Sequence, residues 1–155
     1  MHRFLVVLVL WAATLVAGPA TAQQTQTLTG FAENVTVGVE AGVTLQLTRF
    51  PNNTFALTGS FDHVTLFGDI SATGVPPMST DGVNMCAEGH ECMHFTGTLS
   101  LDQRSGFPNG TQTSFVMSLT FDQLENSAFA VFHVGPLDAF RFEQYGTIKF
   151  AAPVS

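Results

Sequence analysis

"TSFVMSLTFD", residues 113–122, carries two interleaved series. Phe115, Met117, Leu119 and Phe121 form one; Val116, Ser118, Thr120 and Asp122 form the other. A period of two belongs to a half-buried β-strand, whose successive side chains leave opposite faces. A helix would scatter the same apolar residues around its circumference. Two further segments repeat the pattern. Val43, Leu45 and Leu47 alternate with Thr44, Gln46 and Thr48, and Phe95, Gly97, Leu99 and Leu101 alternate with His94, Thr96, Thr98 and Ser100.

Extended along the chain, this reading predicts about nine strands, near 26–32, 35–40, 43–50, 54–60, 63–72, 94–101, 113–122, 128–134 and 140–150. Turn chemistry separates them, most clearly at Pro51-Asn52-Asn53, Pro76-Pro77, Pro108-Asn109-Gly110 and Gly135-Pro136. The expected fold is all-β, an antiparallel β-sandwich or a small closed β-barrel. The segment "AFAVFHV", 128–134, is apolar on both faces and is expected to be a central strand, with His133 as a hydrogen-bonded core or rim residue. A faint echo links "LTGFAENVTVG" from Leu28 with "LTGSFDHVTLF" from Leu57. It is read as support for regular β architecture.

Residues 1–22 read as a cleaved signal peptide: a short basic start, an apolar run from Phe4 to Ala17, and small residues at Ala20 and Ala22 before Gln23. The run falls short of the ~20 residues that span a bilayer. Residues 23–155 are then one secreted or periplasmic domain. In them twelve acidic residues oppose Arg49, Arg104, Arg141 and Lys149, so the formal charge is 4 − 12 = −8. No basic patch exists to neutralise phosphates, which argues against nucleic acid and anionic lipid as partners.

Fourteen Phe but one Tyr (Tyr145) and no Trp occur after residue 22. Carbohydrate surfaces use aromatic rings with polar tips that tolerate water, and Phe has none. Phe is expected either to pack an interior or to line a cavity for a small apolar ligand, as a small barrel can. A membrane barrel is disfavoured because several predicted segments are shorter than the ~9–11 residues a spanning strand needs, and the interfacial aromatics are missing.

The stretch "NMCAEGHECMHF", 84–95, stands apart: it holds both cysteines, two of five histidines and two of five methionines. In an oxidising compartment Cys86 and Cys92 are expected to form a disulfide closing a short loop. The alternative is a soft-metal (copper or zinc) site using Met85, His90, Cys92 and His94. On an extended strand His90 and His94 share a face but stand ~13 Å apart, too far for one metal. They are therefore expected to point separately into solvent.

No serine-nucleophile elbow, His-Glu-x-x-His zinc motif or phosphate-binding loop is read along the chain, so no catalytic residue and no cofactor are assigned. The pairs Asp62-His63 and His90-Glu91 are adjacent, and adjacent residues on a strand face opposite ways. Sequons at Asn34, Asn52 and Asn109 fall at predicted strand ends or turns and are candidate N-glycosylation sites. The functional expectation is a non-catalytic domain acting through its surface in adhesion, inhibition or assembly, with an unknown protein as partner. The alternatives are a lipocalin-like carrier of a small apolar ligand in a Phe-lined cavity, and metal binding through residues 84–94.

Overall fold

The computed structural model describes residues 23–34, 40–63, 66–79, 81–82, 85–123, 125, 127–137 and 142–151. Eight strands lie among them: β1 (Gln24–Asn34), β2 (Glu40–Arg49), β3 (Phe55–His63), β4 (Leu66–Val75), β5 (His90–Leu101), β6 (Gln112–Asp122), β7 (Ser127–Leu137) and β8 (Phe142–Phe150). Each pairs antiparallel with the next, and β8 returns to pair with β1, from Gly30 opposite Phe150 to Asn34 opposite Gly146. Of the two all-β arrangements the chain adopts the closed barrel. The strand expected at 35–40 lies outside the described residues except for Glu40, which opens β2. The expected signal peptide at 1–22 also lies outside them.

The interleaved series sort onto the two faces. Phe115, Met117, Leu119 and Phe121 of β6 point inward with Val43, Leu45 and Leu47 of β2 and Phe95, Leu99 and Leu101 of β5, all buried. Threonine, serine and glutamine side chains cover most of the outer wall, where Thr25 meets Thr48 at 3.2 Å and Gln46 donates to Thr27 at 2.9 Å. This polarity is the reverse of a lipid-embedded barrel, whose apolar band faces out. The strands run to 9–12 residues, so their length does not separate this barrel from a spanning one; face polarity does.

The interior is packed around aromatic rings. Phe61 meets Phe115 and Phe132 edge-to-face, with centroids at 5.9 and 5.1 Å. Phe61, Phe95, Phe115 and Phe132 have at most 1% of their surface accessible, so no water-sized space borders them. Glycines make room where side chains would collide. A Cβ on Gly146 would lie 2.6 Å from the Phe132 ring, and one on Gly74 would lie 2.6 Å from the Phe95 ring. The echo between Leu28 and Leu57 acquires a structural meaning. Both leucines face inward, and two residues on, Gly30 and Gly59 bring β1 and β3 against the backbone of a neighbouring strand, at Lys149 and Thr44 respectively.

The break expected at Gly135-Pro136 lies inside β7, where the register with β8 shifts between Val134 and Leu137. Proline has no N–H for the ladder, and a bulge is where a sheet tolerates it. In a closed barrel every strand has two neighbours, so the expectation of β7 as a central strand has no counterpart. Its outward Phe129 and Val131 are exposed, which is why "AFAVFHV" is apolar on both faces.

A filled interior makes Phe61 costly to truncate. Phe61→Ala is expected to lower unfolding stability by ~3–5 kcal/mol, the usual cost of a large-to-small core change. Outward Thr58→Ala should stay within about 0.5 kcal/mol of the parent. Urea unfolding of the two variants measures both, and a Phe61 cost below about 1.5 kcal/mol would indicate a hollow interior.

Candidate functional site

One mouth of the barrel collects the residues that sequence reading singled out. There β4 ends at Val75, and β5 begins at His90. Cys86 and Cys92 lie at bonding distance, with sulfurs 2.05 Å apart and Cα atoms 5.6 Å apart. The loop is further held by Met85 N–H donating to the Pro77 carbonyl at 2.8 Å and His90 N–H to that of Ala87 at 3.1 Å. Strand β5 begins at His90 and not at the expected His94, because His90–Met93 pair with Leu119–Asp122 of β6.

Strand parity then separates the charged groups. Glu91 points into the mouth, and His90, Cys92 and His94 point outward. His90 Nε2 stands 3.6 Å from Asp122 Oδ2, and its Nδ1 lies 3.1 Å from the Glu88 carbonyl. His94 is exposed, with Nδ1 at 3.1 Å from Ser118 Oγ. A His-Glu-x-x-His spacing, read from the sequence as absent, is in fact present at His90-Glu91-x-x-His94, and it has the form of a helical zinc-hydrolase motif. On a helix it sets two imidazoles on one face a turn apart. Here it occupies a strand, with the glutamate on the opposite face from both histidines, so the geometry that chemistry requires is not built. Met85 is exposed in the loop, Cys92 is engaged with Cys86, and no cluster of three metal-ligating groups occurs among the described residues.

Glu91 has a different partner. Arg49, at the end of β2, donates to it through Nη2 at 2.7 Å and Nε at 3.2 Å, and through Nη1 to Gln26 at 3.2 Å. The guanidinium also lies over the Phe121 ring, 5.3 Å from its centroid. Strands β3 and β4 lie between β2 and β5, so this bidentate pair reaches across the mouth and caps the Phe-lined interior. The other mouth is closed by the connection 102–111. A 3-10 turn (Gln103–Ser105) is stitched to β4, with Phe67 N–H donating to Ser105 Oγ at 2.8 Å and Phe107 packed on the core. Arg104 donates to Asp102 at 2.6 Å and to Asp62 at 3.0 Å, and its hydrogen bond to Asp102 holds that carboxyl below the ordinary range. Asp62 therefore serves Arg104; the side chain of His63 lies outside what is described.

Two features of the outer wall were not expected from the sequence. The first is an apolar patch on β1, β8 and β7. Phe31 (63% exposed), Phe129 (41%), Val131 (49%) and Tyr145 (53%) share it. Phe31 and Phe129 flank Lys149, which pairs with both in register. At its margin His133 stacks on Tyr145 at 4.2 Å, with the rings 8° from parallel. His133 is thus a half-buried outer-wall residue with its Nε2 3.6 Å from Glu143 Oε2, beyond hydrogen-bond reach. The second feature is a cleft of about 400 Å³ beside the first mouth, between the turn 50–54 and strands β4 and β5.

Two of the three candidate glycosylation positions, Asn52 and Asn109, sit where the chain turns. Asn52 is exposed, but its Oδ1 accepts from Thr54 N–H at 3.3 Å and Thr54 Oγ1 at 2.6 Å. Asn109 is exposed in the 102–111 connection, and Asn34 ends β1.

Two measurements address these assignments. Denatured but unreduced protein is expected to titrate no free thiol, and reduction should remove about 2 kcal/mol of stability, as expected for so short a loop. Two reactive thiols would leave the soft-metal alternative standing. Tyr145 is the chain's one tyrosine, so tyrosinate absorbance reports it alone. Its hydroxyl donates to Glu143 Oε2 at 2.7 Å, and this bond raises its pKa above the ordinary value. The bond favours the neutral phenol, so its contribution to folding is present below the unfolded pKa and fades as pH rises through the folded one. Glu143→Gln should bring the titration midpoint back down; an unchanged midpoint would deny the contact.

No family model, curated protein or solved structure matches the chain, so function rests on the barrel and its outer wall.

Proposed function

We propose that the protein is a non-catalytic, exported β-barrel domain that acts by surface interaction with a protein partner through the β1–β8–β7 patch. The observation that carries this reading is the placement of Phe31, Phe129, Val131 and Tyr145 together on an otherwise hydroxyl-rich wall. Exposed apolar side chains scattered singly need no explanation, but contiguous ones mark contact sites. Aromatic anchors around one cation are also the composition from which protein interfaces draw most of their affinity. The carrier alternative needs space inside, and the fully buried Phe side chains leave none beside them. Metal binding through 84–94 loses support from the pairing of Cys92 with Cys86.

Export is inferred from the reading of residues 1–22 as a signal peptide. Support comes from the cysteine pair, since disulfides persist in oxidising compartments. Among the described residues no helix is long and apolar enough to cross a membrane.

A photo-crosslinking amino acid at position 129, in protein exported by its own cells, tests the reading. Exported material should begin at Gln23, and position 129 should trap a discrete partner that position 58, on the other side of the barrel, does not. Phe31→Ser should reduce the adduct at least several-fold. Equal trapping at both positions, or an exported protein that retains Phe4–Ala17, would overturn it.

A further inference from the structure

The cleft beside the first mouth differs in chemistry from the apolar patch. It opens on the outer wall, where Phe50, Thr54, Thr73, Val75, His94 and Thr96 converge over the side-chain-free Gly74 and its β3 partner Phe55. Register explains the convergence. Thr73 lies opposite Thr96 and Val75 opposite His94 on β4 and β5, so these four side chains form a square on one face. The turn after β2 supplies the remaining wall. Phe50 N–H donates to the Thr54 carbonyl at 2.9 Å, and the Asn53 N–H returns to the Phe50 carbonyl at 3.1 Å. This closes the turn tightly and sets Phe50 at the edge of the cleft.

The lining specifies a ligand by what it offers. Its volume of about 400 Å³ falls within the range of small-molecule sites, near the lower end. No carboxylate, guanidinium or ammonium lines it, so a charged ligand would be desolvated there without a counter-charge. Phe50 presents a ring and Val75 a branched aliphatic surface. Against them stand three hydroxyls and one imidazole. Thr54 Oγ1 already donates to Asn52 Oδ1, which leaves its oxygen as an acceptor. His94 has Nδ1 beside Ser118 Oγ, which fixes the ring and leaves Nε2 to meet a ligand. A flat apolar body with one hydroxyl at its edge satisfies both halves. A saturated polyol would bury hydroxyls against Phe50 and Val75, and a plain hydrocarbon would leave the threonines and His94 unpaired.

We infer that this cleft is a binding site for a small, neutral, hydroxylated aromatic molecule of the phenol class, held between Phe50 and Val75 with its hydroxyl at His94 and the threonines. The site is separate from the β1–β8–β7 patch: its residues lie on β3, β4, β5 and the β2–β3 turn, so either can fail without the other.

The full-length exported protein, isotope-labelled and titrated with 4-methylphenol, tests it by NMR. Saturable shifts are expected at Thr73, Val75, His94 and Thr96, with the ring signals of Phe50 moving in step. Toluene, the same shape without the hydroxyl, should bind at least about five-fold more weakly, since a site built for a hydroxyl penalises its loss. Benzoate should also bind more weakly, for want of a counter-charge. Phe50→Ser and His94→Ala should each weaken 4-methylphenol at least about three-fold while leaving the amide spectrum of the barrel interior unchanged. Both residues are on the outer wall, so folding is retained. The inference is overturned by shifts that do not saturate or that cluster elsewhere, by toluene or benzoate binding as well as 4-methylphenol, or by variants without effect. Tighter binding of N-acetyltyrosinamide than of 4-methylphenol would also overturn it, because the occupant would then be a protein side chain.

Discussion

Closure of the sheet between β8 and β1 is the constraint on which the other features depend. Eight antiparallel strands joined end to end enclose a cylinder whose width is set by strand number and tilt, and side chains alone must fill it. That explains why the aromatic usage is almost entirely Phe. A Trp or Tyr inside would bring an N–H or O–H that needs a partner, and the interior here offers ring edges and methyl groups. It also explains glycines at inward positions such as Gly74 and Gly146, which yield their side-chain volume to Phe95 and Phe132. Closure also covers most of the sheet edge, with β1 left without a β8 partner only before Gly30, so a wall of threonine and serine offers little to template a further strand.

A cylinder still has two ends, and each is sealed differently. At one end a connection folds back, and Ser105 extends the hydrogen-bonding pattern of β4 as an extra strand would. At the other, a bidentate arginine–carboxylate pair lies across the opening above Phe121. Ion pairs at half-exposed positions contribute modestly, on the order of 1 kcal/mol. The gain here is geometric, because Arg49 joins two strands that the sheet does not hold side by side. The Cys86–Cys92 pair anchors the connection that delivers Glu91 to this place, so staple and cap act on the same strand start.

Much of this was legible in the residues, and the failures have physical causes. Strict alternation located β2, β5 and β6, because their inward sides are apolar along most of their length. Barrel and sandwich were not distinguishable, because the difference is one pairing between the ends of the chain, β1 with β8. The start of β5 was hidden since Glu91, inward at the mouth, breaks the alternation that marks a strand. Both-sided apolarity in β7 was read as burial on two faces, whereas the outer side is exposed at Phe129 and Val131. The pairing partners of Arg49 lie 23 and 42 residues away, beyond any local spacing rule. The cleft had no signature either, because a turn after β2 and two strands much later in the chain build it together. The local spacing His90-Glu91-x-x-His94 was overlooked, and the oversight leaves the assignment unchanged because the chemistry of that motif depends on a helix and is lost on a strand.

What remains unexplained by folding is therefore the outer wall, and it is there that function has to be sought. Removing Phe31, Phe129, Val131 and Tyr145 from the surface would leave the packed interior, the closing pairs and both mouth seals intact. Exposed aromatic surface invites association with unintended neighbours, a tendency that charge and hydroxyl groups elsewhere on the wall oppose. Neither barrel closure nor solubility requires these side chains where they stand. The contact with a partner proposed for this patch would account for their place beside Lys149, in a chain with few cations.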